Sequence, residues 1–131
     1  MKKVNVAAAV IVNEQQQILL ALRHAHLHQG GKWEFPGGKI ESNETVDQAI
    51  IREISEEVSL DVKSTVPMMV LEHDYGDKLV CLHVHWVKDF RGQAEGVEGQ
   101  EIKWVEVNQL SQFEFPAANQ PILLEVMKCL N

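Results

Sequence analysis

The feature that most constrains this chain is a segment whose pattern predicts one helix, over residues 46–58. Thr45 is a favoured N-cap residue and Gln48 follows three positions later, which together form a capping box. The segment contains neither Gly nor Pro, and apolar residues recur at helical spacing at Ile50, Ile54 and the final valine. These local signals predict an amphipathic helix with one apolar stripe.

The same segment carries three acidic residues on one helix face. Glu53, Glu56 and Glu57 are spaced i, i+3 and i+4, so their side chains are neighbours. Like charges at this spacing repel one another, but a bound multivalent cation would turn that repulsion into binding energy. Mg²⁺ in particular binds a few carboxylates together with substrate phosphates. An acidic face that contacts only solvent is the alternative interpretation.

A glycine loop just before this helix favours the metal-binding interpretation. Residues 37–60 resemble the Nudix box, whose pattern is G-x5-E-x7-R-E-U-x-E-E-x-G-U, with U a bulky aliphatic residue. The matching positions are Gly38, Glu44, Arg52, Glu53, Ile54, Glu56, Glu57 and Leu60. Ser59 stands where the family usually has Gly, at the position that ends the helix and favours positive φ. A pattern with this many fixed positions is highly specific.

The resemblance implies roles for the acidic residues and their neighbours. The residues that it implies as metal ligands are Gly37 through its carbonyl, Glu53, Glu56, Glu57 and Glu98. The expected ion is Mg²⁺, with Mn²⁺ possible. Arg52 is expected to pair with the acids and Glu44 to support them. Either Glu53 or Glu98 is the base that activates water, and Glu101 is the rival of Glu98 as the loop acid.

Segments outside the box resemble the MutT-type branch of the family, which clears oxidised guanine nucleotides. This likeness covers nearly the whole chain, and it is densest in residues 34–60. It implies nucleotide contacts by Arg23, His28, Glu34, Phe35, Pro36, Gly37, Gly38, Lys39, Lys78 and Asn119. Asn119 is predicted to select the base, because its amide offers a donor beside an acceptor to the edge of guanine. A helix N-cap is the alternative role for Asn119.

Composition limits the class of protein. With 131 residues, we expect one domain over residues 1–131 that is large enough to bury a core without disulfides. The net charge of −7 argues against binding of a nucleic acid polymer, which requires clustered Lys and Arg. The two cysteines suggest no disulfide framework, and neither a signal peptide nor a membrane span is visible. We therefore expect a cytoplasmic protein, monomeric, that binds a small-molecule nucleotide.

Apolar runs and turn residues predict several strands around the helix. Residues 4–12 and 18–23 read as a hairpin joined by a polar turn, and residues 33–35 as a short strand leading into the glycine loop. Residues 64–73, 79–87 and 102–107 read as further strands, and a second helix follows Pro121. This mixture predicts an α/β protein, and the resemblance implies the Nudix-type α/β/α sandwich with a mixed β-sheet.

The activity that the resemblance implies is metal-dependent hydrolysis of a nucleoside triphosphate to a monophosphate and pyrophosphate. The substrate that it implies is 8-oxo-dGTP, which would make the protein a sanitiser of the nucleotide pool. CTP or a modified dCTP is the alternative substrate within the same fold. A catalytically silent module that only binds a nucleotide is the alternative from another class.

Overall fold

The computed structural model describes residues 2–27 and 30–130. In these ranges the main elements are β1 (Lys2–Ile11), β2 (Gln17–Leu22), β3 (Trp33–Glu34), β4 (Gly37–Lys39), α1 (Val46–Val58), β5 (Asp61–Asp74), β6 (Lys78–Arg91), β7 (Ile102–Glu106) and α2 (Gln120–Leu130). Two 3-10 turns, Val107–Gln112 and Ala117–Asn119, lie between β7 and α2. No helix in these two ranges is both long and apolar enough to cross a lipid bilayer.

The strands form two sheets. The larger sheet has the order β4-β1-β6-β5, in which β1 and β6 run parallel and the outer pairs run antiparallel. The smaller sheet has the order β3-β2-β7 and is antiparallel. The predicted mixed sheet is therefore confirmed, whereas the second sheet was not predicted.

Strand β1 contributes to the core on both of its faces. Its residues alternate, so that Ala7, Ala9 and Ile11 pack in the cluster that contains α1. Ala8 and Val10 pack in the other cluster, which contains α2. One helix thus lies on each side of the sheets, which confirms the predicted α/β/α sandwich.

Helix α1 has the predicted bounds and the predicted capping box. The Thr45 hydroxyl accepts the Gln48 N–H at 3.1 Å, and the Gln48 side chain accepts the Thr45 N–H at 2.9 Å. At the other end Ser59 has φ 64°, the left-handed conformation that the family usually gives to Gly. The predicted apolar stripe is buried in the core. This helix is therefore specified by local sequence signals.

The predicted hairpin of the first two strands is wrong. β1 and β2 belong to different sheets, and one isolated antiparallel bridge joins Val12, which follows β1, to Ile18 in β2. The reason is that both edges of β1 are already occupied, one by β4 and the other by β6. The predicted glycine loop is also partly a strand, because Gly37–Lys39 pairs with β1.

Candidate active site

A cleft of about 220 Å³ lies on the β1–β6 pair, on the face that also carries α2. Strand β4 and residues 34–35 form one of its ends, and residues 116–119, which we call the base segment, form another part of the wall. Eight of the predicted substrate-binding residues line it: Arg23, Glu34, Phe35, Gly37, Gly38, Lys39, Lys78 and Asn119. The structure thus brings together residues that are far apart in the sequence.

Among the described residues, one predicted substrate-binding residue, Pro36, does not line the cleft. Pro36 is buried, and its carbonyl accepts the Ala9 N–H at 2.9 Å, so that it joins the glycine strand to β1. His28 lies outside the described residues. The proposed contact of Pro36 with a nucleotide therefore has no support from the cleft lining.

The glycines of β4 allow the cleft and the acidic helix to lie next to each other. A Cβ atom on Gly37 would lie 1.9 Å from the Ala7 carbonyl oxygen, so any side chain there would break the pairing with β1. A Cβ atom on Gly38 would lie 2.5 Å from the Glu53 carboxylate. A side chain at position 38 would therefore displace the Glu53 carboxylate from its place beside the strand backbone.

Arg52 connects the predicted catalytic acids. Its guanidinium donates two hydrogen bonds to Glu44, at 2.6 and 2.8 Å, and one to Glu53 at 2.8 Å. It also donates to Glu56 at 3.2 Å and to the Lys39 carbonyl at 3.1 Å. The bidentate bond from Arg52 lowers the pKa of Glu44 to about 2, which keeps that carboxylate ionised. Arg52 thus joins helix α1, the glycine strand and the loop before the helix.

Glu57 lies in a different electrostatic environment from the acids that contact Arg52. Burial, together with the charges of Glu34, Glu53 and Glu98, raises the pKa of Glu57 to about 9. A backbone hydrogen bond from Gly37 opposes this shift. With this pKa, Glu57 is protonated at neutral pH unless a bound cation compensates its charge, and hard divalent cations prefer oxygen ligands of this type. The residues present therefore fit a divalent cation.

The acids are near one another, but they do not yet form a closed ligand set. In the described ranges no three His, Cys, Asp or Glu side chains are arranged to hold a metal ion. The carboxylates of Glu53 and Glu56 are both bonded to Arg52. Metal ligation by these acids accordingly stays a prediction.

The predicted loop acid is held close to the helix by hydrogen bonds to the end of α1. The Glu57 carbonyl accepts the Val97 N–H at 3.1 Å and the Gln100 side-chain amide at 2.9 Å. The Val58 carbonyl accepts the Glu95 N–H at 2.9 Å. Helix ends leave such carbonyls without helical partners, so this loop satisfies them.

This docking separates Glu98 from its rival Glu101. The negative charge of Glu98 contributes to the raised pKa values of both Glu34 and Glu57, which places it beside the acidic site. Glu101 instead accepts the Leu22 N–H through its carbonyl, and its side chain lies 4.0 Å from the ammonium of Lys103. The geometry favours Glu98 as the loop acid, although its role stays a prediction.

Arg23 and Glu34, both predicted to bind substrate, form an ion pair in the cleft. Arg23 Nη1 lies 2.6 Å from Glu34 Oε1. Burial raises the pKa of Glu34, and the neighbouring Arg23 opposes that shift. The pair places a charged donor and a carboxylate on the wall of the cleft.

Asn119 is buried and faces the cleft, directly before helix α2. Its side-chain NH₂ group donates to the Pro116 carbonyl at 3.4 Å. An N-cap would instead require its side-chain oxygen to accept a helix N–H, and no such bond of Asn119 occurs among the described residues. The geometry therefore favours the predicted contact with a base over the capping role.

Sequence reasoning missed the apolar wall of the cleft and one aromatic residue in it. The wall consists of Val4, Val6, Val80 and Leu82, which are paired across β1 and β6. Their alternation in the sequence indicates strands, but only the parallel pairing places them side by side. The aromatic residue is Tyr75, in the turn between β5 and β6, where the sequence pattern indicates only a turn.

Two enzymes of Escherichia coli and one solved structure are similar to this chain over most of its length. The 8-oxo-dGTP diphosphatase of Escherichia coli (strain K12) is 36% identical over 128 residues, which cover 98% of this chain and 99% of that protein. The CTP pyrophosphohydrolase of the same organism is 37% identical over 125 residues, which cover 94% of this chain and 90% of that protein. A structure from a study of MutT from Aliivibrio salmonicida and Vibrio cholerae is 34% identical, with a TM-score of 0.87 and coverage of 97% and 98%.

A sequence-family comparison covers helix α1, part of α2 and the cleft lining except Val4 and Val6. The model of the NUDIX domain matches residues 7–125. This match includes the box residues whose geometry is described above. The chain therefore belongs to the family of Nudix hydrolases.

Proposed function

We propose that this protein is a metal-dependent nucleoside triphosphate pyrophosphohydrolase that converts 8-oxo-dGTP to 8-oxo-dGMP and pyrophosphate. The observation that carries the proposal is the shape of the cleft. The apolar wall and the amide of Asn119 form one part of the cleft. Strand β4, which contains Gly37 and Gly38, extends from this part to the acidic face of α1. A nucleotide requires an apolar surface with a hydrogen-bonding group for its base, and beside it an acidic face that can bind cations for its polyphosphate.

We propose Mg²⁺ as the cofactor, with Mn²⁺ as a substitute. Nudix hydrolases in general use divalent metals. The proposed ligands are the carboxylates of the acidic face, the glycine-strand carbonyl and the loop acid: Gly37, Glu53, Glu56, Glu57 and Glu98. When bound, such ions neutralise phosphate oxygens and lower the pKa of a water nucleophile.

The chain's own residues then bind and orient the substrate. Lys39, Lys78 and Arg23 supply positive charge along the cleft, where it can pair with phosphate oxygens. Arg52 and Glu44 fix the acidic face through their bidentate bond. Water attacks the β-phosphorus, and either Glu53 or Glu98 accepts its proton. The bond between the β-phosphorus and the oxygen that bridges it to the α-phosphorus breaks, so that 8-oxo-dGMP leaves and pyrophosphate is formed.

The proposal that the nucleobase of the substrate is 8-oxoguanine rests on Asn119. Its side-chain oxygen accepts no hydrogen bond within the described residues, and the side chain is 8% exposed in the cleft. An amide can meet an acceptor and a donor on the same edge of a guanine. Relatives named 8-oxo-dGTP diphosphatase, at 36% and 37% identity, support this choice.

CTP is the second candidate substrate. The relative named CTP pyrophosphohydrolase is 37% identical over 94% of this chain, which is as similar as the 8-oxo-dGTP diphosphatases. A silent binding module is less well supported, because Arg52 and the acids of the box are all present, and Arg52 contacts Glu44, Glu53 and Glu56. We also propose that the protein works as a single-domain cytoplasmic monomer on free nucleotides, which prevents mutation during DNA replication.

A screen for pyrophosphate release tests this function. The substrates are 8-oxo-dGTP, dGTP, CTP, a modified dCTP and the remaining common triphosphates, each with Mg²⁺ and with EDTA. We expect Mg²⁺-dependent release that is fastest for 8-oxo-dGTP. A preference for CTP would support the second candidate, and release from none of them would reject the enzyme proposal.

A further inference from the structure

The base segment, residues 116–119, begins the helical run that leads into α2, and its start has an unusual cap. The 3-10 turn Ala117–Asn119 has Pro116 at its N-cap, with no side-chain capping bond from that position. N–H groups at the start of a helix have no helical acceptor, and one that is buried must find another. Ala118 is such a residue, because it is 2% exposed.

The acceptor comes from a different part of the chain. The Ala118 N–H donates to the Tyr75 hydroxyl at 3.2 Å. Tyr75 lies beyond the end of β5, and both it and Ala118 line the cleft. The Tyr75 hydroxyl therefore accepts an N–H at the start of the helix, as an N-cap side chain usually does. It does so from the turn between β5 and β6, across the cleft wall.

Tyr75 is itself fixed in position. Its N–H donates to the Lys78 carbonyl at 2.9 Å, which closes the turn. The Gly76 N–H donates to the Asp74 carboxylate at 2.7 Å, and Gly76 has φ 95°, a conformation that glycine adopts without strain. The Tyr75 ring packs on His73, with centroids 4.6 Å apart. The hydroxyl is thus presented by a turn that is ordered independently of the base segment.

The base segment and the residue before it also pack against the core, because Ala118 and Phe115 belong to the apolar cluster that includes β1 and β6 residues. Phe115 stacks on Phe35 at 5.4 Å just before it, and the Asn119 N–H bonds within the segment, to the Pro116 carbonyl. Among the hydrogen bonds of the described residues, the Tyr75 bond links the segment directly to the turn between β5 and β6. Asn119 directly follows Ala118, the residue whose N–H is bonded to Tyr75.

We infer that Tyr75 is a positioning residue for base selection, acting through Asn119; the inference rests on the proposed function. The hydroxyl sets the distance between the Asn119 amide and the apolar wall on which the base lies. Selection between bases by a hydrogen-bonding amide depends on that distance, because misplaced partners leave buried polar groups unpaired.

The first test is Tyr75→Phe, which removes only the hydroxyl. We expect the preference for 8-oxo-dGTP over dGTP, measured as the ratio of kcat/KM values, to fall about fivefold, the effect of losing one hydrogen bond. Because Tyr75 is not among the groups proposed to act on the phosphates, the change should be in KM rather than in kcat. Ser64→Ala is the matched control, since it removes a hydroxyl on β5 that is bonded to Asp89 and does not line the cleft.

A double-mutant cycle tests whether the effect passes through Asn119. In the Asn119→Ala background, Tyr75→Phe should produce no further loss of base preference, because the positioned group is gone. A fivefold loss in both backgrounds would overturn the positioning role, since Tyr75 would then act on the base independently. An unchanged preference in Tyr75→Phe alone would also overturn it.

Amide exchange at Ala118 gives a readout that does not depend on activity. Tyr75→Phe should speed exchange of this N–H, whereas Ser64→Ala should not, and unchanged exchange would reject the bond itself. If the parent protein hydrolyses no nucleotide, the proposed function fails and the inference fails with it. If the parent hydrolyses 8-oxo-dGTP and Tyr75→Phe keeps its selectivity, only the inference fails.

Discussion

At the scale of single residues, Glu53 and Glu57 have opposite surroundings although they are one helical turn apart. Glu53 is bonded to Arg52 and packs over Gly38, so its charge is compensated. Glu57 is buried among other acids, and its pKa is raised to about 9. Glu57 is therefore ionised at neutral pH only when a cation compensates its charge, whereas Glu53 is already held at the edge of the cleft.

The position of Glu53 leads to a first prediction. Glu53→Gln keeps the size of the side chain and removes its charge, so the protein should fold while hydrolysis falls by about 100-fold or more, the scale expected for loss of a general base or a metal-activating group. The measurement is kcat for 8-oxo-dGTP at saturating Mg²⁺. Glu72→Gln is the control, because Glu72 pairs with Lys3 and does not line the cleft. Turnover of Glu53→Gln within a fewfold of the parent would contradict the assigned role.

Asn119 leads to a second prediction at this scale. Asn119→Ala should reduce the preference for 8-oxo-dGTP over dGTP and CTP by ~1–3 kcal/mol, the cost of a lost bidentate contact with a base. A cap would behave differently, since its loss costs ~1 kcal/mol of stability and leaves preference unchanged. Both kcat/KM and Tm are measured, with Asn108→Ala, at an exposed position of the 3-10 turn Val107–Gln112, as the control. A lower Tm with unchanged preference would establish the cap instead.

At the scale of elements, helix α1 shows which parts of the fold are predictable. Its bounds follow from the capping box and the apolar period, because both signals involve residues within a few positions of each other. The false hairpin of β1 and β2 shows the opposite case. The pattern of a strand does not specify its partner, and here the partners are distant in sequence. The docking of the loop acid on the carbonyl of Glu57 could not be predicted for the same reason.

The link between α1 and the loop before it gives a third prediction. The pKa of Glu44 is lowered to about 2 from 4.5, so its ionised form stabilises the fold above pH 4.5, and that stability is lost as pH falls from 4.5 towards 2. Glu44→Gln should therefore be less stable than the parent at neutral pH and should lose less stability over that acidic range. The free energy of unfolding in urea, measured from pH 7 to pH 2, checks both.

Glu41→Gln is the matched control for this experiment. Glu41 is exposed and lies 3.7 Å from Arg52, whereas Glu44 accepts two close bonds from the same guanidinium. Exposed ion pairs contribute little, so Glu41→Gln should follow the parent curve. Parallel curves for Glu44→Gln and the parent would show that the Arg52 bond does not stabilise the helix.

At the scale of the whole molecule, the charges gather where the sheet, α1 and the 92–100 loop meet. The carboxylates there come from residues far apart in the chain, so folding itself creates their repulsion. A ligand that binds only the folded state stabilises it by RT ln(1 + [L]/Kd). Binding of a divalent cation should therefore offset the unfavourable free energy of bringing these acids together and should stabilise the folded state.

The fourth prediction follows from this assembly. Mg²⁺ or Mn²⁺ should raise Tm progressively, with a stabilisation of about 2.7 kcal/mol when the ion is at 100 times its Kd. NaCl at matched ionic strength separates binding from general screening, and Glu57→Gln should reduce the response to the divalent ion. A Tm that does not respond to tens of millimolar Mg²⁺ and Mn²⁺ would count against the proposed metal site.

The parallel pairing of β1 with β6 also has a consequence for how the chain is made. The apolar residues of β1 are synthesised well before their partners, Lys78 to Val87, leave the ribosome. At about 5–20 residues per second, this β-prone segment waits for several seconds without the strand that covers its edge. Uncovered apolar strands recruit one another between molecules. The same strand that builds the cleft is therefore the segment through which a slowly translated chain is expected to aggregate.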